Sequence, residues 1–513
     1  MDSTPRRRLP SIHFLRRFCL RVLLPVLVVG VTASGCVTTG QNPVSGNTRA
    51  YGYTWEEEVK LGRQADSQIQ QQFGTYDDDA LQQYVDEIAQ EVLAVSHMRR
   101  SDTPPKFRNT EFTFRVLDSP VINAFALPGG YVYVTRGLMA HLNNEAQLAV
   151  VLGHEIGHVA ARHASQQAAR QQFTQGLLVA GAVAGQAALG GEAANNILGV
   201  GGQAAQLMSL SYSRGNERES DRLGVEYATR VGYNAAEGSK FFESLKRIQK
   251  QSDQSIPTWQ STHPDPGARE ETIVELSRDW EQKVSSTGGR INRERYYEHL
   301  EGLVLGKNPR NGFERDDVFY HPDLEFQFPV PGGWQVQNQP AQVALIQPDQ
   351  QAFVVFDIAQ ESTADAVVQK VGGQEGVSVV SRRSARVNGN PAQRAVLEAS
   401  TQQGQTVRVL VYAIEYGGNV YRFQGLTASN SYDAYRPTFE RTMEGFARLT
   451  DPDILNIEPT RLTVRPASRT APFQSFVDES DLPEDITADD LAIINQVNLG
   501  ETIEQGRPLK LPR

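Results

Sequence analysis

Residues 154–158 read His154-Glu155-Ile156-Gly157-His158. On a helix, positions four apart project from one face, so both imidazoles can bind a single ion while Glu155, one residue along, addresses a water on that ion. This is the ligand logic of a zinc peptidase. The flanks, 145–153 and 159–162, hold no proline and many strong helix formers, which predicts an apolar, buried helix under the motif. Two imidazoles and a carboxylate are costly to bury unless a metal takes them. The bland alternative is a pair of surface histidines on an ordinary helix.

A catalytic zinc site takes three protein ligands and keeps a fourth position open. His163 follows His158 too closely, and without the required glycine, to complete H-E-x-x-H-x-x-G-x-x-H. It reads instead as a structural residue, or as one that steadies a ligand from outside. Downstream, Glu217 and Asp221 are again four apart on a predicted helix. Glu217 could ligate zinc while Asp221 accepts the free N–H of a ligand histidine. The same spacing also describes a solvated acidic helix face.

With these residues placed, the chain resembles the HtpX/BepA-like zinc endopeptidases, a family that includes the CAAX prenyl proteases. Its members follow H-E-x-x-H with E-x-x-A-D, and this chain has Glu217-Arg-Glu-Ser220-Asp221, serine standing for alanine. Asn123-Ala124-Phe125-Ala126-Leu-Pro128-Gly129-Gly130 matches the family's N-A-F-A-x-P-G-G stretch. The resemblance implies that these residues form an edge strand beside the metal and bind substrate by β-addition. His263-Pro-Asp-Pro-Gly-Ala-Arg269 resembles the family's H-P-x-x-x-x-R element near the cleft. Its histidine would either steady the oxyanion or, in a resting enzyme, occupy the fourth zinc position, with Arg269 beside it. The family implies a mainly α-helical zincin-type (gluzincin) catalytic domain with a small edge β-sheet. One Zn2+ per chain would be held by His154, His158 and Glu217, with Glu155 as general base and Asp221 assisting. Water would attack directly, without an acyl-enzyme.

The amino terminus carries a different signal. Arg6, Arg7, Arg8, Arg16 and Arg17 precede a short apolar run at 23–31 and then Ala33-Ser-Gly-Cys36, which looks like a bacterial lipoprotein signal with Cys36 as the lipid attachment site. An uncleaved anchor is the alternative, but a run this short, interrupted by Pro25, makes a poor membrane span. The chain has 2 cysteines, Cys19 and Cys36, so the mature protein has no disulfide. Val37 stands where aspartate would resemble an inner-membrane retention signal, which points to the periplasmic face of the outer membrane. Removing residues 1–35, with six arginines and one aspartate, leaves 44 basic and 59 acidic residues and moves the formal charge from −10 to −15. Such a surface offers no footprint for nucleic acid.

The expected architecture is α+β and multidomain: signal peptide 1–35, linker 36–50, peptidase 51–300, linker 301–318, an α+β domain 319–450 and a small module 460–513. Within the peptidase, the glycine- and alanine-rich, nearly uncharged stretch 176–202 suggests a lid or plug over the cleft, with a close-packed helical hairpin against the catalytic domain as the alternative. The 319–450 domain, with predicted strands at 343–346, 352–358 and 407–412 and helices at 364–371 and 433–446, faintly resembles PsbP-like domains, and its His321 reads as a turn residue. The last module resembles a degenerate LysM βααβ unit, with strands at 462–466 and 508–511 and helices at 473–478 and 489–495. It would contact peptidoglycan or serve as a plain cap. Together these features describe a lipid-anchored zinc endopeptidase acting on misfolded or misassembled envelope proteins. A non-proteolytic chaperone or assembly factor on the same fold, or a protease dedicated to one envelope client, are the alternatives.

Overall fold

The structure is a computed structural model describing residues 37–171, 212–251, 263–264, 268–285, 288–374, 376–400 and 406–513. The signal segment with Cys36, the 176–202 stretch and residues 252–262, just before His263, lie outside the described residues. No helix among the described residues is long and apolar enough to cross a membrane.

The centre of the peptidase region is the motif helix, Glu145–Ala160, capped by Asn144, whose side chain accepts from Gln147 N. Every residue of this helix is buried, the polar Glu145, Gln147, His154, Glu155 and His158 along with its apolar majority. It crosses a second helix, Arg214–Arg230, which Ser213 and Asn216 close with a reciprocal capping box. The two helices touch glycine on glycine: a Cβ on Gly153 would stand 3.0 Å from the Gly224 backbone. Helices Trp55–Phe73, Asp79–Ala94, Gly238–Gln251, Arg269–Lys283 and Arg293–Leu300 complete the region.

Two strands precede this bundle. β1 (Thr38–Gln41) and β2 (Thr48–Tyr51) pair antiparallel, so most of the stretch expected as a linker at 36–50 is a folded hairpin. It is docked by Asn42 Nδ2, which donates to Ala161 O at 2.8 Å, and by the Arg162 guanidinium, 3.6 Å from the centre of the Tyr51 ring. The sequence hides this because the strands are short and polar. A three-stranded sheet of β3 (Thr113–Leu117), β4 (Ala124–Leu127) and β5 (Tyr131–Thr135) follows, in the order β3-β5-β4. β3 runs parallel to β5 and β4 antiparallel, which leaves β4 at an edge.

Beyond residue 312 the chain becomes a β-rich module. An antiparallel seven-stranded sheet is packed on one face by helix Tyr432–Glu444 and on the other by Ala364–Gly372. The strands Gln342–Ile346, Ala352–Ile358 and Thr406–Tyr416 contain the three predicted runs, and both helices fall within two residues of expectation. His321 accepts from Leu324 N at 3.2 Å, closing a turn.

The C-terminal module differs from a free-standing unit. Leu462–Pro466 pairs with Pro508–Pro512, and Ala488–Ile494 is helical, but the first predicted helix is only a 3-10 turn, Phe473–Phe476. Leu462, Phe473, Leu491, Ile494 and Leu509 belong to the same apolar core as the motif helix. Lys510 is fully buried and donates to Ala140 O and Leu142 O, at the end of helix Arg136–His141. The expected linker at 301–318 is also built into the core. Leu303, Val304 and Leu305 are buried, and Arg136 donates to Val304 O at 3.0 Å and Gly306 O at 2.6 Å.

Candidate metal centre

His154 and His158 lie one turn apart on the buried motif helix, with their Nε2 atoms 2.9 Å apart. Glu217, in the first turn of the second helix, reaches both: Oε2 is 3.5 Å from His154 Nε2 and Oε1 is 3.5 Å from His158 Nε2. His263 joins from a separate segment, its Nδ1 3.3 Å from Glu217 Oε1 and 3.3 Å from His154 Nε2. The four residues offer one ligand atom each, all within 4.8 Å of one another and all buried. Burial rules out surface histidines and a solvated acidic face.

His154, Glu217 and His158 each have a neighbour outside the cluster. Asp221 Oδ1 lies 3.0 Å from His154 Nδ1, which fixes that proton and turns the Nε2 lone pair inward. Arg269 donates to Asp221 and reaches Glu217 Oε2 at 3.5 Å, its guanidinium resting 4.2 Å from the centre of the Phe242 ring. Tyr212, which the sequence reading did not single out, lays its ring 4.0 Å from that of His158. Only its place, just before the capping serine of the second helix, could have pointed to it.

The electrostatics ask for a cation. Burial alone would lower His154, but its hydrogen bonds to the Asp221 and Glu217 carboxylates outweigh it and raise the imidazole to about 9. Burial holds His158 well below its ordinary value. Burial would raise Glu217 too, yet His263 and the two motif histidines hold it well below the usual carboxylate range, helped by its place at a helix N-terminus. The raised His154 and lowered Glu217 mark the space between the two Nε2 atoms, 2.9 Å apart with a carboxylate against both, as one that favours a positive charge. Two imidazoles and a carboxylate with a further imidazole are a borderline-soft donor set that suits Zn2+.

Glu155 stands beside this cluster without joining it. Both of its carboxylate oxygens are buried without a hydrogen-bond partner among the described residues, and Oε1 lies 3.6 Å from His263 Nε2. Burial pushes its pKa up. A carboxylate kept bare next to a cation site is what a proton acceptor requires.

The Asn123–Gly130 stretch forms the edge strand β4 and the turn after it. Asn123 Oδ1 is buried without a hydrogen-bond partner among the described residues. Gly129 and Gly130 have φ of 84° and 105°, and a Cβ on Gly129 would stand 2.5 Å from Val59 Cα, so helix Trp55–Phe73 closes on this turn only because glycine is there.

A helix-borne H-E-x-x-H facing a glutamate from a second helix defines the class of zinc-dependent metallopeptidases. Residues 79–277 match the model of peptidase family M48. It is 28% identical over 267 residues to the beta-barrel assembly-enhancing protease of Escherichia coli strain K12, covering 50% of this chain and 51% of that protein. It is 30% identical over 181 residues to the mitochondrial metalloendopeptidase OMA1 of Bos taurus, covering 34% of each. The chain thus spans about half or less of the length of these curated relatives. Among solved structures, cyanobacterial PsbP from Synechocystis is matched over 26% of this chain and 91% of that one, with 14% identity and a TM-score of 0.22.

Proposed function

We propose that this chain is a zinc metalloendopeptidase of the bacterial cell envelope that hydrolyses unfolded or misassembled polypeptides. The observation that carries the reading is the convergence of His154, His158 and Glu217 on one point with the bare Glu155 carboxylate beside it. Zinc, when bound, would polarise the scissile carbonyl and make water a nucleophile near neutral pH. Glu155 takes the water's proton and later delivers it to the leaving amine, roles suited to a carboxyl whose pKa burial has raised. Asp221 and Arg269 hold His154 and Glu217 in register, so the ligands need not reorganise during the reaction. Substrate would add as an extended strand along β4, with the 123–130 backbone and the Asn123 side chain as its contacts.

His263 gives the site a resting state. Its ring reaches Glu217, His154 and Glu155 together, which supports its acting as a fourth donor that excludes water until substrate displaces it. This suits a protease stored among native proteins. Lipid on Cys36 would hold the enzyme at the periplasmic face of the outer membrane, and the LysM-like module would lie against peptidoglycan. The name of the Escherichia coli relative supports substrates among assembling envelope proteins.

The test is cleavage of an unfolded polypeptide such as casein by purified protein lacking residues 1–36, beside a stably folded protein at equal concentration. Zinc-dependent cleavage confined to the unfolded substrate is expected. Saturable binding without cleavage would return the chain to the chaperone reading.

A further inference from the structure

The outer face of His158 is occupied by a chain of three side chains. His158 Nδ1 lies 3.0 Å from His163 Nδ1, and the other nitrogen of that ring, Nε2, lies 3.1 Å from Glu219 Oε2. Arg49, on strand β2 of the N-terminal hairpin, grips the same carboxylate with two donors, Nη1 to Oε2 at 3.0 Å and Nη2 to Oε1 at 3.2 Å. Ser220 Oγ stands 3.4 Å from His163 Nδ1, and Arg49 Nη1 also reaches Gln166 Oε1 at 3.4 Å.

Hydrogen-bond chemistry gives this chain one direction. Two Nδ1 atoms 3.0 Å apart cannot both carry hydrogen. If His158 presents its Nε2 lone pair to a metal, its proton is on Nδ1 and His163 must accept there. The His163 proton is then on Nε2, and Glu219 accepts it. Arg49 holds both oxygens of that carboxylate in a planar fork, which fixes where the acceptor points. His154 has its orienting carboxylate, Asp221, directly on its ring. His158 has one too, placed one imidazole further out and fastened to the hairpin.

We infer that His163, Glu219 and Arg49 are positioning residues of the metal centre, and that the N-terminal hairpin is part of that centre because its Arg49 fixes the tautomer and ring plane of His158. The inference rests on the zinc reading above. A purely structural role for Arg49 is poorly matched to the geometry, since Asn42 and the Arg162–Tyr51 stack already dock the hairpin.

The test measures zinc affinity of the purified full chain by competition with a chromophoric chelator, and the His158 tautomer by nitrogen-15 NMR of the imidazoles. Glu219→Gln and Arg49→Ala should each weaken zinc about 10–100-fold, with Arg49→Lys between Ala and wild type, because lysine keeps the charge and loses the fork. The His158 ring in Glu219→Gln should show mixed tautomers. Thr38→Ala, which removes the hairpin bond from Thr38 Oγ1 to Tyr51 O, should leave affinity within about twofold. Circular dichroism confirms folding of each variant, and if Arg49→Ala fails to fold, Glu219→Gln and Arg49→Lys carry the test. Wild-type affinity in a folded Glu219→Gln, or equal weakening by Thr38→Ala, overturns the inference. A wild-type chain that binds no zinc overturns the metal reading itself.

Discussion

Replacing Gly224 by alanine sets two effects of opposite sign against each other. On helix propensity alone the change would stabilise the Arg214–Arg230 helix by about 1 kcal/mol. The crossing with the motif helix forbids it, because the new Cβ would meet Val150 O at 2.8 Å, His154 N at 2.9 Å and His154 Cα at 3.2 Å. Relaxed contacts at carbon need ~3.5–4.0 Å, so the helices must part by roughly 0.5–1 Å. All three contacts are backbone atoms of the helix that carries the histidines, so no side chain can turn aside. Overpacking of this kind costs about 1–3 kcal/mol, enough to cancel or exceed the propensity gain. Glu217 moves with its helix, away from His154 and His158, while metal bonds tolerate only ~0.2 Å. The Gly224→Ala protein should therefore bind zinc on the order of tenfold or more weakly and melt no higher than wild type. Chelator competition and calorimetry measure the two quantities. A variant that melts several degrees higher with unchanged zinc affinity would refute the argument that glycine-on-glycine packing sets the ligand spacing.

Four further outcomes follow from the same structure. Lys510→Met should destabilise the protein by about 2–4 kcal/mol in urea unfolding and expose 460–513 to limited proteolysis, since it leaves two buried carbonyls bare. The relief of burying a charge offsets part of that cost, and an unchanged midpoint would show that the module docks without the lysine. His141 is buried with Nδ1 2.7 Å from Gly137 O, and burial lowers it to about 4. The unfolded chain takes up this proton below about pH 6.5 while the folded one does not until about pH 4, so stability falls across that window, by roughly 1.4 kcal/mol at pH 5.5. His141→Gln should flatten that part of the stability–pH curve, and an unaltered slope would contradict the assignment. His263→Ala should raise basal cleavage of an unfolded substrate if the imidazole blocks the resting site; a lower kcat with zinc retained would make it a transition-state donor instead. Cys36→Ser should release the protein from membranes, and an unmodified Cys36 in the wild-type mass spectrum would refute lipid attachment.

The motif helix and the Glu217/Asp221 pair are legible in the sequence because both obey a local rule, four-residue spacing on a helix, and both sit among residues whose burial the composition announces. His163 is half-legible: its type marks it, but its partner Glu219 lies 56 residues away and Arg49 further still, across a hairpin too short and polar to show as strands. Gly153 and Gly224 carry no local signal at all, since close approach of two helices is a property of the pair. The strands and helices of the β-rich module can be read from alternation and caps. The burial of Lys510 and of 303–305 cannot, because a lysine and a glycine-rich boundary are normally solvent features, and only the assembled core shows that they are enclosed.

The central claim is that zinc held by His154, His158 and Glu217 works with Glu155 as the proton carrier. The most direct measurement compares wild type and Glu155→Gln for zinc content and for cleavage of an unfolded polypeptide in the same preparation. Glu155 is not within the four-residue donor cluster, so the variant should keep one zinc per chain and its fold while cleavage falls by about 100-fold or more. Undiminished cleavage with zinc bound would contradict the account.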